Sequence, residues 1–115
     1  MITNSYTLTG RNIEGRVSEF VRNFFQSAYE SSYSGGFLRV FEDYSFWNKN
    51  NPMVCIRIDT TEAENGKIRI EVITGGNSDK VLVSSIFGSE RRRINGFAKQ
   101  LQNFCNEQMI TYSAD

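Results

Sequence analysis

The sequence predicts an α+β two-layer sandwich, with one five-stranded antiparallel sheet and two helices on one of its faces. First, apolar and polar residues alternate from Met53 to Ile73 on both sides of an Asn-Gly pair, as in a half-buried β-hairpin. Second, the segments that follow Asn12 and Ser89 repeat apolar residues every three or four positions, as amphipathic helices do. Third, the connections between the predicted strands are short, which favours antiparallel neighbours, and each helix has one apolar stripe to bury against a sheet.

The predicted elements follow the order β-α-β-β-β-β-α. Period-two alternation and aromatic or β-branched residues predict the strands. These strands are Ser5 to Thr9, Phe37 to Phe46, the two hairpin arms between Met53 and Ile73, and Lys80 to Phe87. The helices begin after the N-caps Asn12 and Ser89; the first ends near Tyr29 to Ser31, and the apolar stripe of the second runs from Ile94 to Met109. The run SSYSGG after the first helix indicates a connection, and the residues from Tyr112 onward are expected to fray.

The charges of the hairpin predict its register. A three-residue loop would set Asp59 directly opposite Glu71, and like charges in that position are destabilising. One further step opposes Asp59 to Arg69 and Arg57 to Glu71, and it keeps the apolar residues of both arms on one face. We therefore predict this register, with Glu62 to Gly66 as the loop.

The composition limits the class of protein. The 115 residues predict a single domain, 1–115, with one core. Lys plus Arg and Asp plus Glu both number 13, so no global field attracts nucleic acid or an anionic membrane. The first twenty residues lack the features of a signal peptide, and no segment has the length and apolar character to span a membrane. We therefore expect a cytoplasmic protein that has no contact with a membrane.

The sequence offers little support for a catalytic function. It contains no histidine, which is the side chain that most often serves as general base and metal ligand. Its two cysteines, Cys55 and Cys105, form no CxxC motif, and we expect them to be unpaired structural thiols. We expect no catalytic residue, no metal and no cofactor, and a protein that is not an enzyme.

Three short motifs are grouped between Arg39 and Phe104. They are the strand end Phe41 to Ser45, the Ile-Thr-Gly-Gly turn from Ile73 to Gly76, and a Phe-Gly step before the last helix in which Ser89 precedes the glutamate. They resemble a family of small bacterial proteins described only as a domain of unknown function. The resemblance implies a fold and a bacterial source, and it implies no activity. The order of elements is also similar to the TATA-binding-protein type of fold, but this likeness concerns topology alone and implies no DNA binding.

The open face of the predicted sheet is the leading candidate site. Because both helices are expected on one face, the other face would be left with aromatic and apolar residues among charges. The residues that we place there are Phe37, Arg39, Phe41, Cys55, Arg57 and Ile73. This pattern favours a non-enzymatic binding or interaction module. It would form a homodimer, or bind a protein or small-molecule ligand, through that face.

The arginines suggest an alternative function. Three consecutive cations are predicted in the first turn of the last helix, where they oppose the helix dipole and could hold an anion: Arg91, Arg92 and Arg93. Three further arginines would lie among aromatic residues on the sheet, as in single-stranded nucleic-acid platforms: Arg39, Arg57 and Arg69. A solvated basic helix end, the nearby Asp59 and Glu71, and the zero net charge weigh against this alternative.

Overall fold

The structure is a computed structural model that describes residues 2–24, 29–42, 53–75 and 83–115, without the side chains of residues 2, 41–42, 75 and 83–95. Its described backbone forms one antiparallel sheet and two α-helices, which confirms the α+β class. The sheet has six strands instead of the predicted five. The strands are β1 (Ile2–Thr9), β2 (Tyr29–Tyr33), β3 (Gly36–Glu42), β4 (Met53–Asp59), β5 (Lys67–Gly75) and β6 (Thr111–Ala114), and the helices are α1 (Glu14–Phe24) and α2 (Val83–Gln108).

The strands lie in the order β2-β3-β4-β5-β1-β6, and all neighbours are antiparallel. The first strand of the chain is therefore inside the sheet, between β5 and β6. Strands β2 and β6 form the two edges among the described residues. Neither of these edge strands is predicted from the sequence.

Strand β2 corrects the predicted end of the first helix. The sequence predicts a helix end and a connection here, but Tyr29–Tyr33 pairs with β3 across a two-residue turn at Ser34 and Gly35. Helix α1 ends at Phe24, and residues 25–28 lie outside the described residues. The side chains of β2 are half-buried or exposed, so the strand lacks the apolar alternation that signals a half-buried strand.

Helix α2 corrects the last predicted strand. The sequence predicts a strand from Lys80 to Phe87, but α2 begins at Val83, so the described part of that segment is helical. The predicted N-cap Ser89 consequently lies inside the helix. A short run of apolar and β-branched residues fits a strand and a helix equally well by periodicity, which explains the error.

The end of α2 turns the chain back toward the sheet. The sequence places Met109 in the apolar stripe of the helix, but its side chain is 93% exposed and its φ is 58°. The N–H of Ile110 donates to the carbonyl oxygen of Cys105 at 2.8 Å, which is the hydrogen bond of a Schellman helix end. Ile110 is buried in place of Met109. The chain then continues into β6, which pairs with β1 instead of fraying.

One cluster of buried side chains joins the sheet to both helices. Strands β1, β3, β4 and β5 contribute residues that the pairing registers place on a single face of the sheet, which confirms the predicted inner face of the hairpin. Helix α1 adds Val17 and Val21, and α2 adds Phe97 and Leu101. The strand members of the cluster are Tyr6, Leu8, Phe37, Val54, Ile56, Ile58, Ile68, Ile70 and Val72.

Aromatic rings connect the two helices. The rings of Phe20 and Phe104 stack with their centroids 4.5 Å apart. The ring of Phe97 meets Phe24 edge to face at 5.3 Å and Tyr6 of the sheet at 6.1 Å. The predicted helical stripes are therefore confirmed where the structure describes their side chains, Met109 excepted. No helix within the described ranges is long and apolar enough to cross a bilayer.

The hairpin between β4 and β5 has the predicted register. Arg57 is opposite Glu71, and Asp59 is opposite Arg69. The loop is closed by a hydrogen bond from the N–H of Lys67 to the carbonyl oxygen of Glu62 at 3.1 Å. Charge complementarity and apolar alternation were therefore sufficient to align these two strands.

Candidate interaction surface

The pairing registers divide the sheet into a buried face and a second face, which we call the outer face. Side chains directly opposite each other on paired strands lie on the same face. One row of opposite residues on the outer face crosses five strands: Tyr29, Val40, Cys55, Ile73 and Thr3. The next row is Ser31, Leu38, Arg57, Glu71 and Ser5. Cys55, Arg57 and Ile73 thus lie on the outer face, as predicted.

The outer-face placement of Phe37 and Arg39 is wrong. Phe37 is opposite Ile58 and Arg39 is opposite Ile56, so both lie on the buried face. Their exposed fractions are 5% and 8%. The backbone of Phe41 pairs with that of Val54 on the same register, but the side chain of Phe41 is outside the described set. An arginine in a strand usually lies on a solvated face, whereas Arg39 is buried.

A cluster of charged groups allows Arg39 to be buried. Its Nη1 donates to the carbonyl oxygen of Arg22 at 2.7 Å, and its Nε lies 3.4 Å from Oε1 of Glu30 in an ionic contact. Arg22 donates to both carboxylate oxygens of Glu30, at 2.8 and 3.2 Å. The guanidinium carbon of Arg22 is 4.2 Å from the ring centroid of Phe37, in a cation–π contact. The hydrogen bond from Arg22 lowers the pKa of the Glu30 carboxyl below its usual value.

The outer face carries apolar side chains that the sequence analysis missed. Four large apolar side chains of the described residues are well exposed, and three of them lie on this face: Tyr29 at 70%, Tyr33 at 44% and Met53 at 42%. Four smaller neighbours are half-buried. We call these seven residues the outer patch: Tyr29, Tyr33, Leu38, Val40, Met53, Cys55 and Ile73. Leu38 and Val40 alternate with Phe37 and Arg39 along β3, and only the pairing of β3 with β4 shows which of the two sets faces outward.

The outer patch occupies one side of the outer face, and polar residues occupy the other. The patch lies on β2, β3 and β4 and ends at Ile73 of β5. Beyond it, the outer positions of β1 and β6 are threonines and serines: Thr3, Ser5, Thr7, Thr9, Thr111 and Ser113. The apolar side of the face therefore borders the β2 edge.

Charged side chains form a border along the outer patch. Nη2 of Arg57 is 3.9 Å from Oδ2 of Asp59, and Nη2 of Arg69 is 3.9 Å from Oδ2 of Asp115. The carboxylate of Asp59 accepts hydrogen bonds from Oγ1 and N of Thr61, at 2.7 and 2.9 Å. These two hydrogen bonds, more than the arginines, lower the pKa of the Asp59 carboxyl. A shallow depression of about 330 Å³ lies here, lined by Tyr33, Gly35, Leu38, Arg57, Asp59 and Thr61.

Neither cysteine is activated as a nucleophile. Burial, followed by the charge of Glu71, raises the pKa of the Cys55 thiol, and Arg57 opposes this effect only in part. Burial also raises the pKa of the Cys105 thiol, to about 11. Both cysteines are free. In the part of the chain that the structure describes, no group of three or more Asp, Glu, Cys or His residues could hold a metal ion.

The three arginines Arg91 to Arg93 do not lie in the first turn of the last helix, where the sequence predicts them. Because α2 begins at Val83, Arg91 to Arg93 lie more than two turns inside the helix and far from its first turn. The dipole effect that motivated this prediction acts within the first turn. The side chains of these three arginines are not among those that the structure describes.

Comparisons with protein-family models, with curated proteins and with solved structures find no match to this chain, so the likeness to the bacterial family stays a prediction.

Proposed function

We propose that this chain is a non-enzymatic interaction module that forms a homodimer through its outer patch. The proposal includes a two-layer arrangement in which both helices cover the buried face of the sheet. The single cluster of buried side chains from one sheet face and both helices supports this arrangement. The outer patch is the main observation that supports the proposal, because exposed apolar area of this kind is disfavoured in water and marks interfaces on soluble proteins.

The charges next to the outer patch favour a second copy as the partner. The outer positions of β4 and β5 carry three cations, Arg57, Lys67 and Arg69, and two anions, Asp59 and Glu71. Asp115 adds a third carboxylate beside Arg69, so the charges are balanced. In a two-fold symmetric contact each residue of one copy can meet a different residue of the other copy. A face with balanced charges can therefore oppose its own cations to its own anions, whereas a strongly acidic or basic partner would leave half of these charges unmatched.

The structure gives less support to nucleic-acid binding than the sequence does. Arg39 is buried and bound to Arg22 and Glu30, so it is not available to a phosphate. Arg57 and Arg69 each lie 3.9 Å from a carboxylate. Affinity for nucleic acid depends on several phosphate contacts made by free cations. Self-association through the outer patch is therefore the better explanation of this face.

Light scattering of two matched variants tests the proposal. Met53→Lys places a cation within the outer patch, whereas Met109→Lys makes the same change at an exposed methionine at the end of α2. We expect the wild-type chain to dimerise with increasing concentration. Met53→Lys should raise the dissociation constant by about tenfold or more, which corresponds to about 1.4 kcal/mol, and Met109→Lys should leave it unchanged. A wild-type chain that stays monomeric at millimolar concentration, or equal effects of both variants, would overturn the proposal.

A further inference from the structure

The backbone of β2 has hydrogen-bonding groups that no described strand uses. The carbonyl oxygen of Gly35 accepts a hydrogen bond from the N–H of Thr60 of the β4–β5 connection at 2.9 Å. In an antiparallel pair, consecutive residues direct their backbone groups alternately toward one neighbour and then toward the other. Because Gly35 faces β4, Gly36 faces β2 and bonds with its partner Tyr33. It follows that Glu30 and Ser32 direct their N–H and C=O groups to the open edge.

The edge also lacks the features that usually prevent strands from pairing. Edge strands are commonly protected by lysines, prolines or bulges. The sequence of β2, YESSY, contains no lysine and no proline. Its one charged side chain, Glu30, lies on the buried face of the sheet and is paired with Arg22 and Arg39. Among the described residues, the backbone edge is therefore open to another strand.

We propose that β2 pairs antiparallel with β2 of a second copy of this chain, about a two-fold axis that passes between the two copies of Ser31. In this register Glu30 is opposite Ser32 of the other copy. The two Glu30–Ser32 pairs use the free backbone groups of both strands. Tyr29 is opposite Tyr33 twice, once on each side of the axis. Cross-strand aromatic pairs are among the favourable pairs of antiparallel sheets.

The neighbouring registers are worse for specific reasons. A shift toward the start of β2 sets Glu30 directly opposite Glu30, and like charges in that position are destabilising. A shift in the other direction sets Ser32 opposite Ser32 and leaves Tyr29 without a partner residue in β2. Only the central register pairs all five residues of both strands. The sequence Tyr-Glu-Ser-Ser-Tyr is thus complementary to itself.

This edge contact goes beyond the outer-patch dimer and does not depend on it. The outer patch borders β2, so pairing two copies at this edge would place their patches side by side on one continuous twelve-stranded sheet. Tyr29 and Tyr33 belong to both contacts, but the edge contact depends on the backbone of β2, whereas the patch contact depends on side chains of β3 and β4 as well. A change in the β2 backbone and a change at Met53 can therefore separate the two contacts.

A cysteine crosslink tests the register. Ser31→Cys, in a Cys55→Ser background, places two thiols opposite each other at a pair whose Cα atoms should be about 4.5 Å apart, within the range of a disulfide. Cys105 is fully buried and stays in all variants. We expect Ser31→Cys to form a covalent dimer under mild oxidation. The matched control is Ser113→Cys in the same background, on the outer face of the other edge strand, and it should form at least about tenfold less dimer at equal concentration.

A proline variant tests the backbone pairing. Ser32→Pro removes an N–H that faces the open edge, a position where edge strands tolerate proline, and leaves the hydrogen bonds to β3 intact. It should reduce crosslinking of Ser31→Cys by about tenfold, and Ser32→Thr should not reduce it. Crosslinking that persists in Met53→Lys would support an edge contact independent of the patch. Equal crosslinking of Ser31→Cys and Ser113→Cys would overturn the edge proposal, even if light scattering still detected a patch dimer.

Discussion

Strands β3 and β4 are neighbours in the sheet, but their side chains are distributed differently between its two faces. Strand β4 buries Ile56 and exposes Arg57, as expected for a half-buried strand. Strand β3 instead buries Arg39 and places Leu38 and Val40 on the outer face. The pairing register, and not the polarity of the strand itself, decides which side chains of β3 point inward. The apolar residues that the register directs outward belong to the surface that we propose as an interface.

The position of β3 near the edge explains how it can bury an arginine. Strand β2 on one side brings Glu30 close to Arg39, and α1 brings the carbonyl oxygen of Arg22. A buried cation is tolerated when it has such partners and is costly when it has none. At Ile58 of β4 the opposite residues on both neighbouring strands are apolar, Phe37 and Ile70, so an arginine there would have no acidic partner opposite it.

Substitutions on the two faces of β4 should differ most in their effect on the free energy of unfolding. Ile56→Ala removes a fully buried side chain and leaves a cavity in the core, so it should lower the free energy of unfolding by about 2–5 kcal/mol. Cys55→Ala, one position away on the outer face, should lower it by less than about 1 kcal/mol, because the site can be filled by water or by a partner. Urea denaturation at concentrations where the chain is monomeric measures both values. Equal losses would contradict the assignment of the two faces.

The two arginines extend the comparison to charged side chains. Arg39→Ala removes a charge-assisted hydrogen bond to the carbonyl oxygen of Arg22, so it should lower the free energy of unfolding by about 1.5–3 kcal/mol. Arg57→Ala removes a half-exposed side chain with a single 3.9 Å ion contact, so its effect should stay within about 0.5 kcal/mol. The same urea titrations compare them. A larger loss for Arg57 would show that its ion contact, and not exposure, controls its contribution.

The sequence predicts the hairpin well because two independent signals agree there. Apolar alternation assigns the faces of β4 and β5, and the charges of Arg57, Asp59, Arg69 and Glu71 select one register. The same alternation places Cys55, Arg57 and Ile73 correctly on the outer face. In β3 the signals conflict, because Arg39 has the polarity of an exposed residue and is buried by partners distant in the sequence. No property of β3 alone reveals those partners.

The remaining errors concern segments whose structure depends on tertiary pairing. Strands β2 and β6 are short and mostly exposed, and each pairs with one neighbour among the described strands, so neither has an apolar pattern. The first turns of α2 have the amino-acid composition of a strand. They are helical because they belong to a long helix whose later residues, such as Phe97 and Leu101, are buried in the core. As a consequence, Tyr29 and Tyr33 of the outer patch could not be found before β2 was known to be a strand.

The smallest expected effect on stability is the pH dependence that comes from the carboxylates beside Arg39 and Arg57. Glu30 lies beside Arg39 and Asp59 lies beside Arg57, and both carboxyl pKa values are lowered in the folded state. A lowered folded pKa means that the unfolded chain binds more protons in acid. The stabilisation is therefore complete above the unfolded pKa, about 4, and is lost as the pH falls through the folded pKa. Because both side chains are partly exposed, at 30% and 28%, solvent screens their ion contacts and each should contribute less than about 1 kcal/mol at pH 7.

Salt separates the two carboxylates. The pKa of Glu30 is lowered mainly by its hydrogen bond with the charged Arg22, whereas the pKa of Asp59 is lowered mainly by hydrogen bonds from the uncharged Thr61. We expect Glu30→Gln and Asp59→Asn each to reduce the stability lost between pH 7 and pH 3 in urea titrations. In about 1 M salt, where charges are screened within about 3 Å, the effect of Glu30→Gln should shrink more than that of Asp59→Asn. If salt reduced the effects of both variants equally, Asp59 would be stabilised mainly by its arginine neighbours, as Glu30 is. The ion contacts beside the two strands would then be equivalent.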